Sequence, residues 1–418
     1  MILLSHPTGN ENVRQAALAF REAELLREFW TCVSWNPNAS VNSLLPHSLR
    51  QQLSRRSFHP SLRAVTRTVR AREMGRLLVS SLGLSIFSEH ETGPLSIDAV
   101  FSDLDRKVAD RLRQLTDCSL VYAYEDGALE TFRAARTRNI SRVYDLPIGY
   151  WRVAQQIYAE EREREPAWAV TLTGARDSEA KLARKDEELR LANRVVVAST
   201  FTKETLRAAG LAVDVRVIPY GAPPSISVNI EARSGPLRVL FVGSLGQRKG
   251  LSYLLRAVEL LGSKVELTLL GKKAAEGCSP LEEAVRKHRW IPSLPHSELL
   301  GIMQQHDVLV LPSLFEGFGL VILEAMAQRL PVITTAHTAG PDVISQGVDG
   351  FIVPIRSVEA IAARLDQLAS TASLLQEMKQ AAQEKAKSQR WENYRESLVQ
   401  MARDLVFKTI PAHHGTCA

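Results

Sequence analysis

Val308-Leu-Val-Leu-Pro-Ser-Leu-Phe-Glu-Gly-Phe-Gly-Leu-Val-Ile-Leu-Glu-Ala-Met-Ala327 is the stretch on which the reading of this 418-residue chain turns. The apolar run Val308 to Leu311 has the character of a buried parallel strand, and Leu320 to Arg329 that of the helix after it. Glu316, Gly317 and Gly319 fall between them, at the carboxyl end of the strand, where ligands bind in open α/β sheets. Glycine lets backbone approach an anion closely. The free N–H groups of Gly319, Leu320 and Val321 open a helix whose positive end favours phosphate. Glu324, inside the helix, is placed to accept hydrogen bonds from vicinal hydroxyls such as those of a ribose. A loop carboxylate, a phosphate-ready helix start and a helix carboxylate together suggest a sugar nucleotide. The blander alternative is a tight turn with two solvated glutamates.

Upstream, the same unit opens the second half of the chain. Leu237 to Val242 reads as a strand, Gly243-Ser-Leu-Gly-Gln-Arg-Lys-Gly250 as a glycine-rich loop and Leu251 to Leu261 as a helix. That loop offers backbone donors and two cations, Arg248 and Lys249, which is what a diphosphate needs; a basic surface turn is the alternative. Glycine after Lys249 departs from the P-loop of nucleotide hydrolases, and the pattern is not Gly-x-Gly-x-x-Gly, so nicotinamide binding is poorly supported. Further strands are expected at Val265 to Leu270, Arg289 to Ile291, Val332 to Thr335 and Phe351 to Val353, with helices between them.

In the first half, Ile2 to Ser5 reads as a strand, His6 to Asn10 as a turn, Asn12 to Phe29 as a helix and Thr31 to Trp35 as a second strand. Gly9 then lies at a sheet's carboxyl edge, facing either a ligand or nothing more than an ordinary turn. Ser119 to Tyr124 ends in Glu125-Asp-Gly127, and Arg142 to Leu146 runs into Asp145-Leu-Pro-Ile-Gly149, which brings Glu125, Asp126 and Asp145 to the same edge; a helix cap is the alternative for Asp126. Asp103-Leu-Asp105, inside a helix read as exposed, is rejected as a metal pair. Glu160 to Glu165 reads as a solvated helix face. Strand–helix alternation indicates one doubly wound parallel domain over 1–222 and a second over 223–388, with a helix and tail over 389–418.

Composition is that of a soluble globular protein, 45% hydrophobic and 23% charged. The net charge of +6 fits anionic ligands or an anionic membrane surface and is too weak to indicate nucleic acid. Cys32, Cys118, Cys278 and Cys417 have no paired spacing, which argues against a disulfide scaffold or zinc site and for a reducing cytoplasm. The amino terminus does not read as a signal peptide, and Leu77 to Phe87 is too interrupted to span a bilayer. Between Arg50 and Arg76 eight arginines precede or flank a single acid, Glu73, with Leu53, Phe58, Leu62, Val65 and Val69 interleaved. That 50–76 segment suggests a basic amphipathic helix for peripheral contact with anionic lipid or a charged acceptor; a solvated helix face is the simpler alternative.

With Lys249 and the Glu316/Glu324 pair on one sheet edge, the chain resembles the glycosyltransferases of family 4, whose architecture, GT-B, sets two Rossmann-like domains across a cleft. The matching segments are Phe241 to Gly250 and Leu311 to Ala327, extended by Pro331-Val-Ile-Thr334 and Gly347 to Pro354. The resemblance implies a retaining transferase that takes a sugar from a nucleoside diphosphate sugar without a metal or other cofactor. Lys249 corresponds to the family's phosphate-binding lysine, Glu316 to the carboxylate near the donor sugar and Glu324 to the residue holding the ribose. Gly319, Leu320 and Val321 correspond to the diphosphate-binding amides. Gly9, Gly243, Gly317, Phe318 and Ile291 complete the donor-binding set. Arg248 supplies a second positive charge where the family often has Arg in place of Ser244. Family members commonly carry a histidine after a late N-terminal strand; this chain has none there, so Asp126, Glu125 or Asp145 fills the role or the donor geometry differs. The donor is expected on the C-terminal domain and a saccharide or lipid-linked acceptor on the N-terminal one, with Trp391 to Phe407 crossing back. Surface polysaccharide or glycolipid synthesis follows from the resemblance. A nucleotide-sugar epimerase, a phosphorylase and a non-catalytic partner subunit are the alternatives.

Overall fold

The protein, in a computed structural model, is described over residues 1–36, 47–225 and 235–408; Cys417, the tail from Pro411 and the middle of the linker lie outside them. Among the described residues, thirteen strands form two sheets. The first contains β1 (Ile2–Ser5), β2 (Leu26–Thr31), β3 (Thr66–Thr68), β4 (Leu120–Tyr124), β5 (Ser141–Leu146), β6 (Arg194–Val197) and β7 (Val215–Val217). The second contains β8 (Leu237–Val242), β9 (Val265–Leu270), β10 (Arg289–Ile291), β11 (Val308–Leu311), β12 (Val332–Thr335) and β13 (Gly350–Val353). Their orders are β3-β2-β1-β4-β5-β6-β7 and β10-β9-β8-β11-β12-β13, and every pairing is parallel. Each order runs one way and then reverses, between β1 and β4 and between β8 and β11, which opens a crevice at the carboxyl ends of those strands.

The central strands are apolar because helices cover both faces: β1 and β11 are buried at every residue. Helix Glu11–Glu22 shows the complementary pattern, burying Val13, Ala16, Ala17 and Phe20 at three- and four-residue spacing. It stops short of the predicted Phe29. Glu24 takes a left-handed conformation (φ +57) and the Leu25 amide returns to the Phe20 carbonyl at 2.8 Å. Leu26 to Thr31 is thereby freed for β2, which displaces the strand expected at Thr31 to Trp35. The arginine-rich segment is likewise not one amphipathic helix. It divides into helix His47–Ser54, a 3-10 turn begun by Pro60, edge strand β3 and helix Ala71–Ser81.

Two acidic stretches read as solvated are structural. Asp105 is buried and accepts the amides of Glu130 (2.7 Å) and Thr131 (2.9 Å), capping helix Leu129–Thr137. Glu161, inside the charge run, is wholly buried where the two halves meet. It accepts from Gln247 Nε2 (2.7 Å), Tyr253 hydroxyl (2.6 Å) and Arg356 Nε (2.8 Å). Amphipathic periodicity did not reveal it, because its partners come from 86 to 195 residues away.

The halves meet along a continuous seam. Thr200 N donates to Asp342 Oδ2 at 3.0 Å, and the hydroxyls of Ser199 and Thr202 donate to the Gly317 carbonyl. Helix Trp391–Lys408 returns to helix Glu11–Glu22, where Arg395 Nη1 donates to Gln15 Oε1 at 2.7 Å. Its Trp391 and Tyr394 rings pack on Tyr220 at the linker. Cys32, Cys118 and Cys278 are buried free thiols.

Candidate active site

Because β8 and β11 are neighbours, the loops leaving their carboxyl ends lie side by side at the second sheet's reversal point. They are laced together: Leu314 N donates to the Arg248 carbonyl at 2.9 Å, and Arg248 Nη1 to the Phe315 carbonyl at 2.9 Å. Glycine permits the approach. Gly250 is left-handed (φ +69), and a Cβ on it would overlap the Pro312 carbonyl. At Gly243, a Cβ would stand 3.5 Å from Lys249 Cε, so the lysine stem lies across that residue.

Lys249 is 8% exposed, and its ammonium donates to the Glu316 carboxylate, which also accepts from Arg248 Nη1 at 3.1 Å. Burial holds the Lys249 ammonium below the ordinary lysine range despite the neighbouring carboxylate. Burial alone would push the Glu316 carboxyl up, but the charges of Lys249 and Arg248 outweigh it and hold the group below its usual value. Two cations around one carboxylate leave a secluded surplus of positive charge, suited to an anion richer in charge than one carboxylate.

The next residues place backbone in the same crevice. Gly317 lies directly beneath the Pro147 carbonyl of the N-terminal domain, which a Cβ would overlap. Gly319 is left-handed (φ +81), and the first bond of the following turn runs from Ile322 N to its carbonyl at 2.8 Å. The amides of Gly319, Leu320 and Val321 precede that bond, as at any helix start. The helix itself is Val321–Ala327, shorter at both ends than predicted. Phe318 is buried against Tyr220, ring centroids 4.9 Å apart, so its side chain braces the hinge.

Leu320 and Glu324 line a cavity of about 910 Å³ between the domains, together with Glu11, Arg14, Leu294 and Trp391. Glu324 Oε1 is bonded to His296 Nε2 at 3.0 Å, and this bond raises the His296 pKa. His296 begins helix His296–Gln304, and its meeting with Glu324 had no local signal in the sequence. Ile291 closes edge strand β10, its carbonyl accepting from Gly271 N at 2.9 Å. Gly9 is buried beneath Phe58; the helix it precedes reaches the cavity through Glu11, Arg14 and Gln15.

The structure thus joins Lys249, Arg248 and Glu316 in one group and sets Leu320 and Glu324 on one cavity. The N-terminal acids have other partners. Asp126, left-handed at φ +71, accepts from Arg184 Nη2 at 2.8 Å, and its amide donates to Glu188 at 3.0 Å. Glu125 lies 3.5 Å from Lys185, and burial pushes its carboxyl up to about 7. Asp145 is buried beside Tyr122, whose hydroxyl donates to it at 2.6 Å, and burial pushes this carboxyl too to about 7. What reaches the Glu316 loop from β5 is the backbone of Pro147 to Gly149, packed on Gly317 and Phe315.

Two facing Rossmann-like domains with this crevice constitute a GT-B fold. Residues 224–385 match the family described as glycosyl transferases group 1. Among curated proteins, the amylovoran biosynthesis glycosyltransferase AmsK of Erwinia amylovora is 30% identical over 173 residues, 37% of this chain and 42% of its own. The D-inositol 3-phosphate glycosyltransferase of Corynebacterium urealyticum is 32% identical over 179 residues, 40% of this chain and 42% of its own. The chain thus spans about two fifths of the length of these relatives. Among solved structures, sucrose-phosphate synthase from Thermosynechococcus elongatus superposes with TM-score 0.69 at 19% identity, over 98% of this chain and 99% of that one. Anabaena HepE in complex with UDP superposes with TM-score 0.62 at 15% identity, over 97% and 100%.

Proposed function

We propose that the protein is a retaining glycosyltransferase of family 4, moving a sugar from a nucleoside diphosphate sugar to a saccharide or lipid-linked saccharide. The observation that carries this reading is the buried Lys249–Arg248–Glu316 group, set at the strand-order reversal beneath the other domain's Pro147. In it the acceptor hydroxyl bonds to the anomeric carbon on the face from which the diphosphate leaves. The bond from that carbon to the diphosphate oxygen breaks, and a phosphate oxygen takes the hydroxyl's proton. Negative charge then grows on the leaving diphosphate, where Lys249, Arg248 and the amides of Gly319, Leu320 and Val321 stabilise it. These groups carry the charge compensation, so the reading calls for no metal or cofactor. Glu316, released from its cations by the incoming diphosphate, faces the donor sugar, and Glu324 exchanges His296 for ribose hydroxyls. Gly243 makes room for the Lys249 stem and Gly317 for the Pro147 carbonyl, while Gly9 precedes the helix that reaches the cavity and Ile291 closes β10.

The reading extends to bacterial surface polysaccharide synthesis at the cytoplasmic face of the membrane; the similarity to the amylovoran biosynthesis enzyme supports the biosynthetic role, and the exposed arginines of 50–76 suit an anionic surface. HepE has been solved with UDP-glucose, which makes UDP-sugars the first donors to test. The decisive assay is donor turnover by Lys249→Ala: a rate equal to wild type would discard the reading. If no nucleoside diphosphate sugar raised the melting temperature, a non-catalytic subunit would replace it.

A further inference from the structure

Large apolar side chains stand exposed at eleven positions among the described residues, and six of them, Met74, Leu78, Leu82, Leu84, Ile86 and Phe87, cluster in one short segment. Helix Ala71–Ser81 buries Glu73 and Leu77 against its own domain. On its outer side Arg70, Met74, Leu78 and Leu82 recur every fourth residue and so form one stripe. Beyond it the chain turns at Gly83 (φ +71) into the 3-10 turn Ser85–Ser88, and every residue from Ser81 to Phe87 is exposed. The result is an exposed apolar tip. Single exposed leucines are normal; a contiguous patch marks an interaction surface.

The surrounding charge selects the partner. Of the arginines in the 50–76 segment, Arg56 and Arg76 turn inward onto buried Glu73, and Arg72 holds the Pro94 carbonyl with Asp103 3.9 Å away. Arg63 and Arg70 are exposed and bond Asn36 and Thr68, neither of them charged. Arg67, 55% exposed, stands 3.7 Å from Glu28. Apolar side chains projecting from a tip, with the exposed guanidinium groups of Arg63, Arg67 and Arg70 ahead of the helix that leads to it, complement a bilayer with anionic headgroups. A protein partner would need a concavity to receive the same projection.

We infer that residues 82–87 insert Leu82, Leu84, Ile86 and Phe87 into an anionic lipid surface while Arg63, Arg67 and Arg70 meet its headgroup phosphates. This deepens the membrane-side reading above, moving the contact from the arginine segment at large to the tip, and it is measurable without donor or acceptor. The intact protein is sedimented with phosphatidylcholine vesicles with and without phosphatidylglycerol. Wild type binds the phosphatidylglycerol vesicles, more weakly as salt rises. Leu82→Ser/Ile86→Ser/Phe87→Ser and Arg63→Glu/Arg70→Glu each lose roughly tenfold or more in affinity, with melting temperature and turnover of soluble substrates unchanged. Failure of wild type to bind these vesicles overturns the inference, as does wild-type affinity in the serine variant. A wild-type dimer in light scattering that the serine variant converts to monomer, without vesicle binding, would assign the tip to a second copy of the chain and overturn it too. None of these failures touches the Lys249 assay, nor does that assay decide them.

Discussion

Lys249 and Glu316 have opposite charges and a shared burial, and each sets the other's proton affinity. In the proposed reaction, removing the ammonium takes away a preorganised donor to the departing diphosphate, so Lys249→Ala is expected to reduce kcat by on the order of a hundredfold or more, read in a steady-state assay. Glu316→Gln makes the complementary test. Glu316 raises the Lys249 pKa while burial and Arg248 lower it. Without the carboxylate, Lys249 loses its proton at lower pH, so the alkaline limb of the kcat/KM profile moves toward neutrality; an unmoved limb would separate that limb from Lys249 titration. At this scale the meeting of Lys249, Arg248 and Glu316 was legible because glycines and charges in two short loops define it. The bond of His296 to Glu324 and the packing of Phe318 on Tyr220 were not, because they depend on elements far along the chain.

Helices and strands were read well where a pattern was local and badly where it was ambiguous. The strands from β8 to β13 follow from apolar runs bounded by glycine or polar loops. The early helix was extended through Leu26 to Phe29 because an Ala-, Leu- and Glu-rich run continues without glycine or proline; the break rests on Glu24 accepting a left-handed conformation. Helix Trp151–Arg164 presents Glu161 to three donors, two of them from the other domain's glycine loop and the helix after it. Truncating a buried ionic partner typically costs about 3–5 kcal/mol. Glu161→Ala should therefore lower the melting temperature markedly and, by releasing Gln247, weaken nucleotide binding as well. A melting loss with unchanged nucleotide affinity would limit Glu161 to holding the domains together.

For the whole molecule, one titration that bears on stability is that of Asp145, secluded near Tyr220 and Tyr394. Its carboxyl keeps a proton to about pH 7 in the folded state and would lose it near pH 4 once unfolded. At this group the folded state thus binds more protons between those values, and its contribution to stability falls as pH rises from about 4 to about 7. In Asp145→Asn that fall is shallower, and the variant gains on wild type toward neutrality. Melting curves across this range test it; parallel pH profiles for the two proteins would remove Asp145 as the cause.

The glycine at 317 carries a consequence for turnover. The Pro147 carbonyl over Gly317, and the Ser199 and Thr202 hydroxyls donating to the Gly317 carbonyl, tie the halves together beside the loop that the proposed reaction uses. In that reaction, admitting donor and releasing product by parting and rejoining these surfaces makes a swing of the halves part of each cycle. If that swing outlasts the chemical step, adding glycerol or sucrose should slow kcat in proportion to solvent viscosity, making this a machine limited by friction at its hinge.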